Sequence, residues 1–167
     1  MLHCAIEENC LSAAASTPSF ADYKAYFDDQ PLHRMLGITV EDQEPGYGRI
    51  RLKKDENTPG GIGGSVHGGI LAAMVDIVML VAIFAEMRDG EVPAGTADLS
   101  ITYLRQAHGD YVDAEARVVK RGRQLAMVEV DILDAEGTLC ARGKTLYAFR
   151  AGTPRTGAEI SSGGPQL

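Results

Sequence analysis

The sequence has no tryptophan, only three cysteines, and fewer basic than acidic side chains: 16 Lys and Arg against 23 Asp and Glu, a formal charge of −7. Each scarcity excludes something. Cys4, Cys10 and Cys140 cannot build a disulfide framework, and no Cys-x-x-Cys pair or Cys/His cluster has metal-ligand spacing. Reduced thiols in the cytoplasm are the expectation, with no metal. A net-negative chain lacks the broad basic footprint of a nucleic-acid binder, although a local cluster of cations can still hold a small polyanion. His3, Glu7 and Glu8 stand where a secretory leader would carry basic residues and then an apolar run. The most apolar segment, Ile70 to Ala85, falls short of the roughly 20 residues that span a bilayer, and it contains Asp76. What is present is one domain's worth of chain, 167 residues at 45% hydrophobic, enough for a single core.

The small and polar residues 1–18 predict a loose arm, and the Gly/Ser/Thr/Pro-rich residues 151–167 a loose tail, leaving a domain over 19–150. Within it, Tyr23, Tyr26 and Phe27 have helical spacing in FADYKAYFDD, and Pro31 is read as the stop. Strands are predicted at Leu36–Glu44 and Tyr47–Lys53, with Pro45-Gly46 turning between them. The apolar run from Gly68 to Met87 is too long for a strand and predicts a helix. Four strands follow: Asp98–Arg105, Tyr111–Lys120, Leu125–Leu133 and Thr138–Phe149. Short gaps make them antiparallel neighbours. A helix that is apolar nearly all round must be wrapped, and this sheet is the available wrapper, giving an α+β fold.

Asp76 is the strongest chemical signal. One turn away on its face lie Ala72, Ala73, Met79 and Leu80, none able to pair with it, and no Lys or Arg occurs between Lys54 and Arg88. A carboxylate there needs a partner from elsewhere in the fold. The helix is preceded by GGIGGSVHGG, which holds six of the 19 glycines. Backbone N–H groups at such a helix start can approach a ligand closely. A phosphate loop is excluded, because no Lys-Ser/Thr follows the last glycine and Val66 stands where a dinucleotide fingerprint needs Gly. The remaining use of the N–H groups is an oxyanion hole for acyl transfer. Asp76 shares a helix face with Gly69, seven residues and about 700° away, yet about 10 Å distant along the axis. If both serve one substrate, donor and acid come from different copies of the helix.

Ser65-Val66-His67-Gly68-Gly69 followed at this distance by Asp76 resembles the His-Gly-Gly…Asp signature of hotdog-fold acyl-CoA thioesterases of the PaaI-like group. The resemblance continues through PLHRMLGI (31–38), ADLSITYLRQA (97–107), KRGRQLAMVEVDI (120–132) and GTLCARGKTLY (137–147). It implies an antiparallel sheet around one long central helix, and a dimer or dimer of dimers with active sites at the dimer interface. It further implies Asp76 as general base or nucleophile, the Gly68 N–H as carbonyl-polarising donor, and Thr96 as the hydroxyl that orients water. His67 is read as polarising the site or, by preference, bonding to the loop backbone, and Gly69 as a further substrate contact. The family often has Asn six residues before the His. Here that position is Gly61, and Asn57 is the nearby polar candidate. Arg105, Lys120, Arg121 and Arg123 are candidate contacts for coenzyme A phosphates. Coenzyme A enters only as part of the substrate, with no other cofactor. Two alternatives remain. One is a non-catalytic acyl-CoA sensor, although residues 1–30 hold only Lys24 as a basic side chain. The other is a hydratase, disfavoured because Asp76 and His67 fall on opposite helix faces.

Overall fold

A computed structural model describes residues 19–88 and 90–151. The expected arm and most of the expected tail lie outside that range. Helix α1, Phe20–Asp28, starts at an N-cap, Ser19, whose hydroxyl accepts the Asp22 amide. Its buried Tyr23 and Phe27 face the sheet. A second helix, α2 (Pro31–Leu36), is not expected from the sequence; it takes Leu36 from the predicted strand, which starts at Ile38 instead. Pro31 does not stop a helix here; it opens one, because its fixed φ and missing N–H suit the first turn. Gly37 closes α2 in the left-handed region at φ 67°, and a side chain there would crowd the Lys53 carbonyl at 3.0 Å.

Strands β1 (Ile38–Glu44) and β2 (Tyr47–Lys53) form the expected hairpin. The glycine loop holds a short 3₁₀ turn, Ile62–Gly64, and leads into α3, Gly68–Phe84, the long central helix. Then come β3 (Glu91–Tyr103), β4 (Tyr111–Arg121), β5 (Leu125–Asp134) and β6 (Leu139–Ala151). The six strands make one antiparallel sheet in the order β1-β2-β4-β5-β6-β3. This is the helix wrapped by a sheet that the resemblance implies.

Two expectations need correction. β3 does not neighbour β4, because both edges of β4 are taken by β2 and β5; β3 instead crosses to pair with β6 at the sheet edge. It also begins at Glu91 rather than Asp98. Pro93 and Gly95 argue against a strand, but an edge strand tolerates a proline, and register shifts at Pro93/Gly95 and Thr96/Asp98 absorb the irregularity.

The core lies between α3 and the sheet. Met74, Val75, Val78, Met79, Val81 and Ile83 are fully buried, each contributing about 1.5–3 kcal/mol by leaving water. Opposite them β4 presents Val112, Ala114 and Ala116, all buried as the alternation predicts. The helix lies so close that two sheet positions can hold no side chain. A Cβ at Gly48 would lie 2.7 Å from Val81 Cγ1, and one at Gly143 2.6 Å from Val75 Cγ1. The outer sheet face carries charge, with Arg51 bidentate to Asp113 at 2.7 Å and Arg142 to Asp131. Among the described residues no helix is long and apolar enough to cross a membrane.

Candidate active site

The partner that Asp76 requires is Thr96. From β3, its Oγ1 donates to Asp76 Oδ1 at 2.7 Å. The crossing of β3 to the β6 edge makes this meeting possible, since Thr96 stands opposite Tyr147 in that pairing. Asp76 is half-buried, on the side of α3 where Gly69, Ala72, Ala73 and Leu80 are also incompletely covered. Among the described residues its second oxygen has no hydrogen-bond partner and remains free to take a proton. Tyr147 borders the same region, packed edge-on against Phe84 and Phe149. Burial, and then the charge of Asp76, hold its phenol above the ordinary range, so it stays neutral.

At the N-terminal end of α3, His67 is the N-cap: its Nδ1 accepts the Gly69 amide at 3.0 Å. His67 in this geometry bonds to the backbone of its own turn. The Gly69 N–H is therefore spent within the protein. The His67 carbonyl accepts from Ile70 and Leu71. That leaves the Gly68 N–H as an amide of the first turn with no acceptor inside the helix, carrying the dipole's positive end. Tyr103, at the end of β3, donates its hydroxyl to the Gly68 carbonyl at 2.7 Å. The sequence places Tyr103 only within the predicted strand Asp98–Arg105, whereas it is half exposed and bonded to a residue 35 positions away.

Gly61 fits its loop as a glycine. Its N–H bonds to the Ser65 carbonyl, and a side chain would meet Ser65 Oγ at 2.8 Å and the Val66 carbonyl at 3.0 Å. An asparagine cannot occupy this tight bridge without moving it. Asn57 lies in an exposed turn where its amide, with Thr58, serves Asp55. The Asp55 carboxyl is held below its usual range by those hydrogen bonds, the Asn57 amide first.

The four candidate cations do not gather in one place. Arg121 is buried, paired with Glu91 and Glu86, and stacked on the Phe149 ring at 3.6 Å. It ties β4 to the end of α3 and the start of β3, and cannot also reach a solvent phosphate. Lys120 and Arg123 are exposed at the β4–β5 turn. Register sets Thr96, Tyr147 and Ala126 in one row, so this turn lies at the Asp76 end of the sheet. Arg105 lies beyond the opposite end of β3, where it bonds to the Leu139 carbonyl.

Comparison with known proteins places this geometry. The profile of the Thioesterase superfamily matches residues 63–141, which include the glycine loop from Gly63 onward, α3 and β3. Human acyl-coenzyme A thioesterase 13 is 33% identical over 72% of this chain and 86% of its own length. The crystal structure of zebra fish thioesterase superfamily member 2 superposes with a TM-score of 0.67 at 30% identity, covering 78% of this chain and 98% of that one. The PaaI protein of the Escherichia coli phenylacetic acid degradation operon shares the fold, with a TM-score of 0.67 at 20% identity over 81% of this chain and 96% of its own. The chain belongs to the thioesterase superfamily: it is a hotdog-fold thioester hydrolase, PaaI-like in fold.

Proposed function

We propose that the chain hydrolyses acyl-CoA thioesters, with Asp76 as general base and the Gly68 N–H as oxyanion donor. The observation that carries the reading is the 2.7 Å bond from Thr96 to Asp76 Oδ1, which orients the carboxylate and leaves Oδ2 for a proton. Water, held by Oδ2 and by the Thr96 hydroxyl oxygen, adds to the thioester carbon while its proton passes to Asp76. Charge developing on the carbonyl oxygen is met by the Gly68 N–H. Collapse breaks the C–S bond, the thiolate leaves and takes up a proton, and the products are the free acid and coenzyme A. The scheme calls for no metal or redox cofactor.

Gly68 and Asp76 lie eight residues apart on one helix, about 12 Å along its axis, too far to serve one carbonyl. The working site therefore joins Asp76 and Thr96 of one protomer to the Gly68 amide of its partner, in a dimer or a dimer of dimers. The outer edge of β3, unpaired among the described residues, supports edge-to-edge pairing of two sheets. Lys120 and Arg123, at the Asp76 end, are the cations best placed for coenzyme A phosphates; Arg105 is a candidate only if the partner brings it near. With three cysteines that form no disulfide framework, the enzyme is read as cytoplasmic.

The experiment is an acyl-CoA panel followed by release of free thiol. Asp76→Ala is expected to lower kcat/KM by at least about 10²-fold. Wild-type turnover in that variant, or tight coenzyme A binding with no turnover of any thioester, overturns the reading, and the second outcome favours an acyl-CoA sensor. Single turnover in ¹⁸O-water reports a nucleophile that is released by water attacking the Asp76 carbonyl of the mixed anhydride. The first product acid then carries an Asp76 oxygen and Asp76 gains ¹⁸O, whereas a base puts solvent oxygen into the acid and none into Asp76.

A further inference from the structure

We infer that Tyr103 is a positioning residue for the oxyanion amide, a clamp that holds the Gly68 peptide in its donating orientation. The inference rests on the reading of Gly68 given above and adds a residue to it.

The start of α3 is Gly68-Gly69, the least constrained pair of residues a helix could begin with. Each glycine gives up more backbone freedom on ordering than any other residue, and first turns fray. An oxyanion donor is useful only when it is already aimed, because reorganisation at the moment of reaction subtracts from the stabilisation. This segment therefore needs restraint from outside the helix. The peptide between His67 and Gly68, which carries the donor N–H, is held at its carbonyl by the Ile70 and Leu71 amides. The next peptide, between Gly68 and Gly69, is held at both ends. Its N–H goes to His67 Nδ1 at 3.0 Å, and its carbonyl accepts the Tyr103 hydroxyl at 2.7 Å.

Gly68 Cα is the hinge between these two peptides, so fixing both planes fixes the direction of its N–H. His67 acts from within the turn, whereas Tyr103 acts from β3, a different element. The Tyr103 ring adds a steric stop: a Cβ on Gly68 would sit 3.3 Å from Tyr103 Cε1 and Cζ, so the ring lies directly against the glycine. Tyr103 is itself secured, because the Leu104 and Arg105 amides both bond to the Cys140 carbonyl just after it. With no route to the scissile carbonyl assigned to it, the phenol acts through the Gly68 peptide.

Tyr103→Phe keeps the ring and removes the hydroxyl. The expected result is a kcat three- to tenfold lower, the order of one net hydrogen bond, with KM within about twofold and an unchanged oligomeric state. Hydrogen exchange at the Gly69 amide, whose N–H is bonded to His67 Nδ1, followed by ¹⁵N NMR, is expected to quicken in parallel, while amides in the middle of α3 keep their rates. Tyr103→Ala, which also removes the steric stop, should fall further in both measures. Wild-type kcat in Tyr103→Phe overturns the proposal. So does a fall in kcat with unaltered exchange at Gly69. If the wild type hydrolyses no thioester, the functional reading fails, and exchange at the Gly69 amide still decides whether the phenol is a clamp.

Discussion

Adding one methyl group at Gly143 should damage stability and rate together. Gly143 lies on β6 under the middle of α3, and a Cβ built there meets Val75 at 2.6 Å and 2.7 Å to its two methyls and 3.3 Å to its Cβ. Ordinary carbon contacts lie at about 3.5–4.0 Å, so the overlap is about 1 Å. A new rotamer of Val75 cannot relieve it, because β-branched side chains in helices hold one χ1 well and the Val75 Cβ itself is already close. The helix must back away from the sheet. Overpacking of this kind costs about 1–3 kcal/mol. Val75→Ala alone removes two fully buried methyl groups, about 1.6 kcal/mol of transfer plus a cavity penalty, or about 2–3 kcal/mol in all. Together the substitutions remove two methyls from the helix and place one on the strand in the space they leave, so the double variant should be more stable than the sum of the singles by about 1–2 kcal/mol. Urea midpoints at constant m-value measure this cycle. Asp76 follows Val75 in the chain and Thr96 stands on the strand beside β6, so a 1 Å retreat stretches their 2.7 Å bond toward breaking. Misplacement on that scale can cost up to about 10²-fold in kcat. Wild-type stability in Gly143→Ala, or additivity within about 0.5 kcal/mol, would refute the packing argument.

Four further outcomes are expected. Gly68→Pro removes the proposed donor N–H at a helix position that accepts proline, and should lower kcat by about 10²–10³-fold with little change in helicity by circular dichroism. Mixing that variant with Asp76→Ala under subunit exchange should restore about a quarter of wild-type activity, because half the dimers then carry one intact site; no recovery would place donor and base in the same protomer. His33, stacked on Phe27 with Nδ1 bonded to the Phe27 carbonyl, titrates below its ordinary 6.5 because burial outweighs the carbonyl and Asp28. The folded state thus resists protonation, and its contribution is intact above pH 6.5 and lost as pH falls below it; the thermal midpoint should drop there in the wild type and less in His33→Gln. The buried Cys140 thiol, pushed up by burial and by Asp134, should resist alkylation in the native protein and react on unfolding, as mass spectrometry would read.

What the sequence discloses follows the range of the interactions involved. The bounds of β2 coincide with its alternating run, and α3 starts where its apolar run does, because both patterns are local. Asp76 is conspicuous since a carboxylate in an apolar helix has no neighbour to pair with. Its partner is not conspicuous: Thr96 reaches it only because β3 crosses to β6, a choice made by competition for strand edges across the whole domain. Arg121 shows the same limit. Among Lys120, Arg121 and Arg123 nothing local distinguishes the one that is buried, since its carboxylates, Glu86 and Glu91, lie some thirty residues away in sequence. Helix α2 is hidden for another reason, as Pro31 carries the same meaning before a helix as after one until Gly37 is seen to close the turn.

One strand is tied to one helix at two points, Thr96 to Asp76 and Tyr103 to Gly68. A strand advances about 3.3 Å per residue and a helix about 1.5 Å, so the two ties can close together at only one register. A residue gained or lost between 97 and 102 would keep one tie and break the other, and would also turn the following side chains to the opposite face. The loop before β3 and the crossing after it carry no such requirement. Length variation in a descendant of this chain is thus tolerable on either side of the interval 96–103 and forbidden inside it, and that fixed span is a stricter mark of a working site than any single residue within it.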